Sequence, residues 1–305
     1  MLLAPIVRGA AALLREIRRT GVHEMPRCRE ALRAAGVFPI RDHYYEPRFE
    51  FADAADFERE RPLPGIDWNL DGQLALLERF DYVAELYDVP RAQPRARGFF
   101  LDNDSFGPGD AEFWYQLIRT LKPRRIFEIG SGHSTLMAVK AINRNRAEDP
   151  AYACRHVCIE PFERPWLEEA GVVVIRARVE ELELSLFAEL GEDDILFIDS
   201  SHVIRPQGDV LFEYLELIPS LAPGVVVHVH DIFSPRDYPE RWLVDEVKLW
   251  NEQYLLEAFL SHNGNWSVLG ALNYLQHRHH DALARVAPFL TPDAEPGSFY
   301  MRRTA

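Results

Sequence analysis

The hydrophobic pattern from residue 125 onward alternates between short apolar runs and longer stretches with helical periodicity. The apolar runs are rich in Val, Ile and Phe. Strands of this composition, separated by helices, are typical of a parallel sheet that is covered on both faces. The pattern therefore predicts a doubly wound α/β domain. Its predicted strands are 126–129, 155–160, 172–176, 195–199, 225–230, 266–272 and 298–302, and the helices between them include 163–170, 180–190, 206–221, about 240–260 and about 280–287.

Residues 1–100 have a different pattern, with helical periodicity at 10–19, 28–35 and 72–87. Aromatic and proline-containing segments separate these helices. We expect this region to be a helical cap that covers one side of the core and shapes a substrate pocket. The predicted domains are thus a cap over 1–100 and a core domain over 101–305.

The first residues are apolar, but Arg8 interrupts the run and no basic segment precedes it, which argues against a signal peptide. We expect an amphipathic helix that packs on its own protein or on a partner, with contact to a membrane surface as the alternative. No stretch approaches the ~20 apolar residues of a spanning helix, so stable membrane insertion is not expected.

The stretch Arg125 to Leu136, R-I-F-E-I-G-S-G-H-S-T-L, predicts a strand, a tight glycine turn and a helix capped by Ser134 or Thr135. Glycines let the backbone pass close to a ligand, and the start of the helix offers unpaired N–H groups. A single G-x-G also closes many strand–helix units that bind nothing. Thr135 replaces the third glycine of the dinucleotide fingerprint, which argues against an NAD site. Glu128 suits a cationic or hydroxyl-bearing ligand better than a phosphate.

Polar side chains end three of the predicted parallel strands. In an open α/β sheet the ligand lies outside these carboxyl ends. Strand ends also meet water, which alone would make some of them polar. The residues are Glu160 on the second strand, Asp199, Ser200, Ser201 and His202 on the fourth, and His228, His230 and Asp231 on the fifth.

Glu160 follows the glycine turn at the end of the next strand, where its carboxylate could accept hydrogen bonds from both hydroxyls of a ribose. That geometry is shared by NAD and S-adenosylmethionine (SAM) sites. Arg178 ends the third predicted strand and Glu180 follows two residues later, so the adenine contacts are an open point.

Three motifs resemble those of class I SAM-dependent methyltransferases: E-I-G-S-G-H-S-T, D-I-L-F-I-D-S-S-H and G-V-V-V-H-V-H-D-I. The last two resemble the branch of macrocin-type sugar O-methyltransferases and cephalosporin hydroxylase-like proteins. The resemblance implies a seven-strand Rossmann-like sheet with an antiparallel last strand, and methyl transfer from SAM to a hydroxyl of a sugar or secondary metabolite. The cofactor contacts that we predict are Glu128, Gly130, Ser131, Gly132, His133, Ser134, Glu160, Arg178 and Asp199.

Catechol-type O-methyltransferases place an acid, a base three residues later and an Asp-Asn pair at equivalent strand ends. By this comparison Asp199, His230 and Asp231 are predicted to hold a divalent metal ion. Ile232 replaces the Asn, so a hard oxygen-ligand metal is in doubt and His230 would favour Mn, Fe or Zn. We expect His202 to be the general base, because an imidazole with a pKa near ~6.5 can take the proton of an alcohol, and His230 is the alternative base. The predicted catalytic residues are His202, Asp199, His230 and Asp231.

Composition narrows the partners and the compartment. The net charge of -14 and the pI near 5.3 argue against nucleic-acid binding, so a small-molecule acceptor is expected. Three cysteines without zinc spacing argue against a disulfide framework and favour a cytoplasmic location. The alternatives are an NAD-dependent oxidoreductase and a non-catalytic SAM-binding or scaffold protein, a homodimer through its N-terminal helices.

Overall fold

The computed structural model describes residues 3–41, 46–47, 56–95, 97–162 and 164–305. Contacts divide the chain into two units, Met1–Asp56 and Phe57–Ala305. The first unit contains the helices α1 (Leu3–Thr20) and α2 (Pro26–Ala35). The helix α1 buries none of its residues, and no described helix is long and apolar enough to cross a membrane.

The second unit contains all the strands and the remaining helices. The strands are β1 (Arg125–Ile129), β2 (Arg155–Ile159), β3 (Val173–Ile175), β4 (Ile195–Ile198), β5 (Val226–Val229), β6 (Trp266–Ala271) and β7 (Phe299–Arg303). The helices are α3 (Leu70–Glu78), α4 (Val83–Leu86), α5 (Asp110–Leu121), α6 (His133–Glu148), α7 (Asp209–Phe212), α8 (Ile218–Ser220), α9 (Glu252–Leu260) and α10 (Leu272–Ala284). Short 3₁₀ turns lie at Leu167–Glu169, Val179–Glu181 and Leu184–Glu189, and π-helical turns at Glu213–Leu217 and Arg241–Asp245.

The strands form one seven-stranded sheet in the order β3-β2-β1-β4-β5-β7-β6. The first five strands are parallel, and β7 runs antiparallel to both β5 and β6. The predicted Rossmann-like sheet with an antiparallel last strand is confirmed. The strand order reverses between β1 and β4, and this switch point is where open α/β sheets bind ligands.

Alternate side chains of each strand enter one of two buried layers, as the two-residue period of a strand requires. Ile126, Phe197 and Val226 pack into one layer with α5 and α6. Phe127 and Val227 pack into the other layer with the helices after β4 and β5. Burial on both faces explains why these strands are continuously apolar.

The boundary between the units lies earlier than the expected position near residue 100. The helix α3 belongs to the second unit, because it packs against β6. Asn69, just before α3, donates to the carbonyl of Val268, and Gln73 accepts from the N–H of Ala271 at 2.8 Å. The role of the N-terminal region as a substrate cap stays a prediction.

Two predicted helices are much shorter than expected. Position 163 lies outside the described residues, and the described stretches 164–170 and 180–190 contain 3₁₀ turns in place of α-helices. The helix predicted over about 240–260 is interrupted, because Val247 has a left-handed backbone with φ of 56°. A β-branched residue with positive φ cannot continue a right-handed helix. The interruption separates the turn Arg241–Asp245 from α9.

Candidate active site

The glycine turn between β1 and α6 allows a neighbouring backbone segment to approach closely. Gly130 has φ of 79°, and a Cβ there would lie 2.0 Å from the backbone oxygen of Asp199. Gly132 precedes α6, and its N–H donates to Thr135 Oγ1 at 3.1 Å. The predicted caps Ser134 and Thr135 instead lie inside the first helical turn, since α6 begins at His133.

Glu128 does not reach the ligand side of this turn. Its side chain is fully buried, accepts from the Thr135 hydroxyl, and lies 3.0 Å from Nε2 of His156. Burial alone would lower the pKa of His156, but the Glu128 carboxylate raises it to about 10. The pair is therefore a buried ion pair that holds the first turn of α6 against β1 and β2. The expected direct contact of Glu128 with the cofactor is not supported.

A pocket of about 430 Å³ opens beside the glycine turn at the carboxyl ends of β1 to β4. It collects four of the predicted cofactor residues, namely Gly130, Glu160, Arg178 and Asp199. Phe162, Val179, Ser200, Ser201 and Asp209 also line it. Oxygens of Glu160 accept from the N–H groups of Ser131 and Phe162, each at 3.3 Å, so the carboxylate is fixed at the rim.

The other five predicted cofactor residues lie outside this lining, namely Glu128, Ser131, Gly132, His133 and Ser134. The Ser131 hydroxyl is buried and has no hydrogen-bond partner among the described residues. Ser134 is buried, and its carbonyl accepts from the indole N–H of Trp114. The Nδ1 atom of His133 lies 3.0 Å from the Ser105 hydroxyl, and burial, together with Arg164, lowers the pKa of His133.

Three of the predicted catalytic residues converge next to the pocket. Nε2 of His202 lies 3.2 Å from a carboxylate oxygen of Asp199 and 3.5 Å from one of Asp231. One ligand atom from each of the three residues lies within 4.8 Å of the others. The Asp199 side chain is 38% exposed, whereas that of His202 is only 5% exposed. His202 is therefore buried within the cluster, whereas Asp199 is accessible from outside it.

A fourth residue, Glu252, orients this cluster. It lies at the start of α9, is fully buried, and its Oε2 is 2.8 Å from Nδ1 of His202. Its Oε1 accepts from the Tyr214 hydroxyl at 3.1 Å. Hydrogen bonding at Nδ1 turns the Nε2 edge of the ring toward Asp199 and Asp231. This carboxylate–histidine arrangement is the one that usually stands behind a metal-binding imidazole.

Among the described residues, the ligand atoms of Asp199, His202 and Asp231 converge, whereas His230 of the predicted metal set is not part of this cluster. His230 Nδ1 accepts the backbone N–H of Asp231 at 2.9 Å, and its Nε2 is buried with no hydrogen-bond partner among the described residues. His230 packs on Phe106 and beside His228, because residues two apart on β5 share a face. That face belongs to the apolar layer with α5. His202 takes the place that we assigned to His230.

The assignment of His202 as the general base stays a prediction. Burial alone would lower the pKa of His202, but hydrogen bonds to Asp199 and Glu252 raise it well above 6.5. The raised pKa favours the protonated ring, which would have to lose its proton before it could act as a base. His230 is no better placed as the alternative base. Burial raises the pKa of Asp231, although His230 and His202 oppose the shift.

Three functional side chains near the cluster escaped the sequence analysis: Glu252, Trp250 and Lys248. The ring centroid of Trp250 lies 4.3 Å from that of His202, with the two rings tilted by 44°. The Lys248 ammonium lies 3.7 Å from the Trp242 ring centroid and 4.1 Å from that of Trp250. All three residues fall in a stretch predicted as one continuous helix. The sequence offered one signal for these residues: Lys248 lies between two tryptophans, Trp242 and Trp250, and Glu252 follows shortly after.

Comparisons with known proteins agree with this architecture. A family model described as a methyltransferase domain matches residues 127–232. An uncharacterized protein of Archaeoglobus fulgidus is 30% identical over 173 residues, which cover 52% of this chain and 76% of that protein.

Two solved structures show the same type of similarity at low identity. One is the O-methyltransferase from Bacillus cereus in complex with SAH, with 15% identity, TM-score 0.38, and coverage of 76% of this chain and 91% of that chain. The other is CalS11, a TDP-rhamnose 3'-O-methyltransferase, with 15% identity, TM-score 0.38, and coverage of 63% and 78%. At these scores the fold assignment depends on the sheet itself. The strand order and the matched domain together give a Rossmann-like methyltransferase fold, in which residues 127–232 match the methyltransferase domain.

Proposed function

We propose that this protein transfers the methyl group of SAM to a hydroxyl of a small molecule, such as a sugar or secondary metabolite, with the help of a divalent metal ion. The observation that carries the proposal is the convergence of Asp199, His202 and Asp231 beside the pocket at the switch point. Methyl transfer to an alcohol needs a bound donor and a way to remove the hydroxyl proton. The pocket supplies the donor site, and the cluster of Asp199, His202 and Asp231 supplies the groups that help to remove the proton.

The pocket provides the donor site. Gly130 and Gly132 let the cofactor pass close to the backbone, and Glu160 can accept from ribose hydroxyls. The N–H groups of Ser131 and Phe162 donate to its two oxygens and fix the carboxylate at the rim of the pocket. Arg178 stacks its guanidinium over Phe162 at 5.7 Å, and this pair forms the side of the pocket where an adenine would lie.

The cluster provides the metal site. Three carboxylates, those of Asp199, Asp231 and Glu252, lie against one imidazole. Even a protonated His202 leaves this group with a net negative charge, and a divalent cation would balance it better. Two carboxylate oxygens and one imidazole nitrogen suit Mn, Fe or Zn more than Mg. The metal ion would act as a Lewis acid that lowers the pKa of the acceptor hydroxyl.

The residues of the cluster and of the adjacent aromatic wall then have separate roles. Asp199 and Asp231 hold negative charge where the acceptor proton leaves, and Asp231 is the more basic of the two, since its pKa is raised while that of Asp199 is lowered. Glu252 holds the His202 ring in place from behind. Trp250, Trp242 and Tyr238 form an aromatic wall next to His202, which excludes water and offers a surface for the acceptor.

The donor is tested first by binding. Calorimetry should detect S-adenosylhomocysteine (SAH) and not NADH, and the reverse result would end the methyltransferase proposal in favour of an oxidoreductase. Acceptors are then screened with isotopically labelled SAM, with Mn²⁺ or after exhaustive chelation. Chelation should abolish transfer. Asp199→Asn and Asp231→Asn should lose Mn²⁺ binding, whereas Asp193→Asn, which affects a surface pair with Arg302, should keep it.

Two further outcomes separate the alternatives. Full turnover after chelation, with no metal at the site, would make the cluster a hydrogen-bond network in which Asp231 takes the proton and His202 orients it. SAH binding without transfer to any acceptor would favour a non-catalytic SAM-binding protein. The convergence of His202 and Asp231 speaks for catalysis, because a cofactor-binding scaffold has no need of a buried histidine between three carboxylates.

A further inference from the structure

The helix α1 has an apolar face that the described part of the chain leaves largely uncovered. None of the 18 residues of this helix is buried. The exposed fractions of Leu3, Ile6, Val7 and Leu13 are 72%, 68%, 59% and 64%. A continuous exposed row of large apolar side chains usually marks a contact site. The methyl-transfer proposal does not use this helix.

The apolar and the charged residues of α1 lie on separate sides of the helix. Since each residue turns a helix by ~100°, the large apolar residues and one alanine fall within about a third of its circumference. These residues are Leu3, Ile6, Val7, Ala10, Leu13, Leu14 and Ile17. Four arginines share one flank of this apolar face, namely Arg8, Arg15, Arg18 and Arg19, and the acid of the helix is Glu16. The helix is therefore basic and amphipathic.

Basic charge is concentrated in this part of an acidic chain. Residues 1–41 contain eight of the 34 basic residues and only three of the 48 acidic ones, although the net charge of the whole chain is -14. Arg19 pairs with Glu16, whereas Arg8 and Arg15 have no carboxylate at ion-pair distance within the described residues. Two guanidinium groups beside the apolar face are thus available to an external anion.

We propose that α1 binds the surface of an anionic lipid bilayer. The helix lies parallel to the surface, with its apolar face at the ends of the acyl chains and its arginines at the headgroups. Helices with a strong apolar face and a basic polar side bind membranes in this way. The long stem of arginine lets the guanidinium reach headgroup phosphates while the base of the side chain stays near the apolar region.

Two other occupants of this face fit it less well. A second copy that pairs through α1 would bring two basic helices together, and their like charges would repel. A nucleic acid would bind the arginines but would leave the apolar face in contact with water. A bilayer with acidic lipids satisfies both parts of the helix, because it offers acyl chains next to phosphate groups.

The experiment measures co-sedimentation of the full chain with vesicles, either of phosphatidylcholine alone or of equal parts of phosphatidylcholine and phosphatidylglycerol. Leu13→Ser changes the apolar face. Its matched control is Leu215→Ser, because the Leu215 side chain is equally exposed, at 63%, but lies in the second unit. A double variant, Arg8→Gln with Arg15→Gln, removes two charges, and Lys at the same two positions keeps them. Light scattering gives the oligomeric state, and thermal unfolding verifies that each variant is folded.

Wild type should bind the vesicles with phosphatidylglycerol much more tightly than the neutral ones, and added salt should weaken this binding. Leu13→Ser should weaken it by ~10-fold, because a leucine side chain then no longer enters the apolar region, whereas Leu215→Ser should have no effect. The double Gln variant should weaken it by ~10-fold or more, and the double Lys variant should bind like wild type.

The inference would be overturned by a wild type that binds neither kind of vesicle or both equally, or by equal losses in Leu13→Ser and Leu215→Ser. Without vesicle binding, a dimer that Leu13→Ser dissociates would assign the face to a second copy. A lower unfolding temperature of a monomeric Leu13→Ser, again without vesicle binding, would assign it to the protein's own second unit. These measurements need neither SAH nor an acceptor, so their failure leaves the methyl-transfer proposal intact.

Discussion

Replacing Glu252 by Gln tests the cluster through a residue that touches neither the donor nor the acceptor. The Glu252 carboxylate is fully buried between His202 Nδ1 and the Tyr214 hydroxyl. A glutamine amide has the same shape, and its carbonyl oxygen can still accept the Nδ1 proton. The substitution therefore removes the negative charge behind the ring while it preserves the hydrogen-bond geometry.

The expected size of the effect follows from this position. Loss of a carboxylate partner behind a metal-binding histidine costs ~10–100-fold in metal affinity, or ~1.4–2.7 kcal/mol. Asp199 and Asp231 remain 3.2 and 3.5 Å from Nε2, so the loss should be partial. SAH affinity should change by less than ~2-fold, because the pocket residues do not contact Glu252.

The assay is a calorimetric titration of the SAH complex with Mn²⁺. Glu257→Gln is the matched control, since Glu257 lies on the same helix α9 and pairs with Arg61 and the Ser234 hydroxyl instead of the cluster. The control should keep its Mn²⁺ affinity. An unchanged affinity in Glu252→Gln, or an equal loss in Glu257→Gln, would refute the assignment of Glu252 as the carboxylate that orients a metal ligand.

Three other predictions address the turn, the buried ion pair and the aromatic wall. Gly130→Ala would bring its Cβ to 2.0 Å from the Asp199 oxygen at a φ of 79°, so we expect loss of SAH binding and a stability loss of ~2 kcal/mol or more, measured by thermal unfolding with and without SAH. His156 should stabilise the fold fully below its ordinary pKa of 6.5 and lose this contribution as the pH rises through about 10, because Glu128 raises its folded-state pKa. Urea unfolding should show that decline in wild type and a flatter pH dependence in His156→Gln. Trp250→Ala should raise the KM of the acceptor with little change in SAH affinity, and equal losses of both would contradict its assignment to the acceptor wall.

The sequence was informative wherever a physical period or a local steric rule applied. The alternation of apolar runs and helices predicted all seven strands to within about two residues, because burial on both faces leaves a strong signal. The glycine turn was equally readable, since Gly130 needs a positive φ. The strand-end rule placed Glu160 and Asp199 at the pocket without any knowledge of the tertiary contacts.

The errors share a different cause. The two-residue period of a strand puts His230 on the same face as His228, and this signal could have removed His230 from the metal set. Glu252 could not have been found in this way, because 50 residues separate it from His202. Its role depends on where α9 begins. The start of α9 depends in turn on the helix interruption at Val247, and no neighbouring glycine or proline predicts this interruption.

The backbone at the two ends of the cluster gives an independent reason to regard it as functional. His202 and Asp231 both have left-handed conformations, with φ of 59° and 58°. Each such residue costs ~1 kcal/mol or more, and His and Asp accept it more readily than most other side chains. The strain brings an imidazole between carboxylates that repel one another, so the folded chain bears two costs at one place. Under the proposed metal site, a divalent cation held by Asp199, His202 and Asp231 would offset the repulsion between the carboxylates.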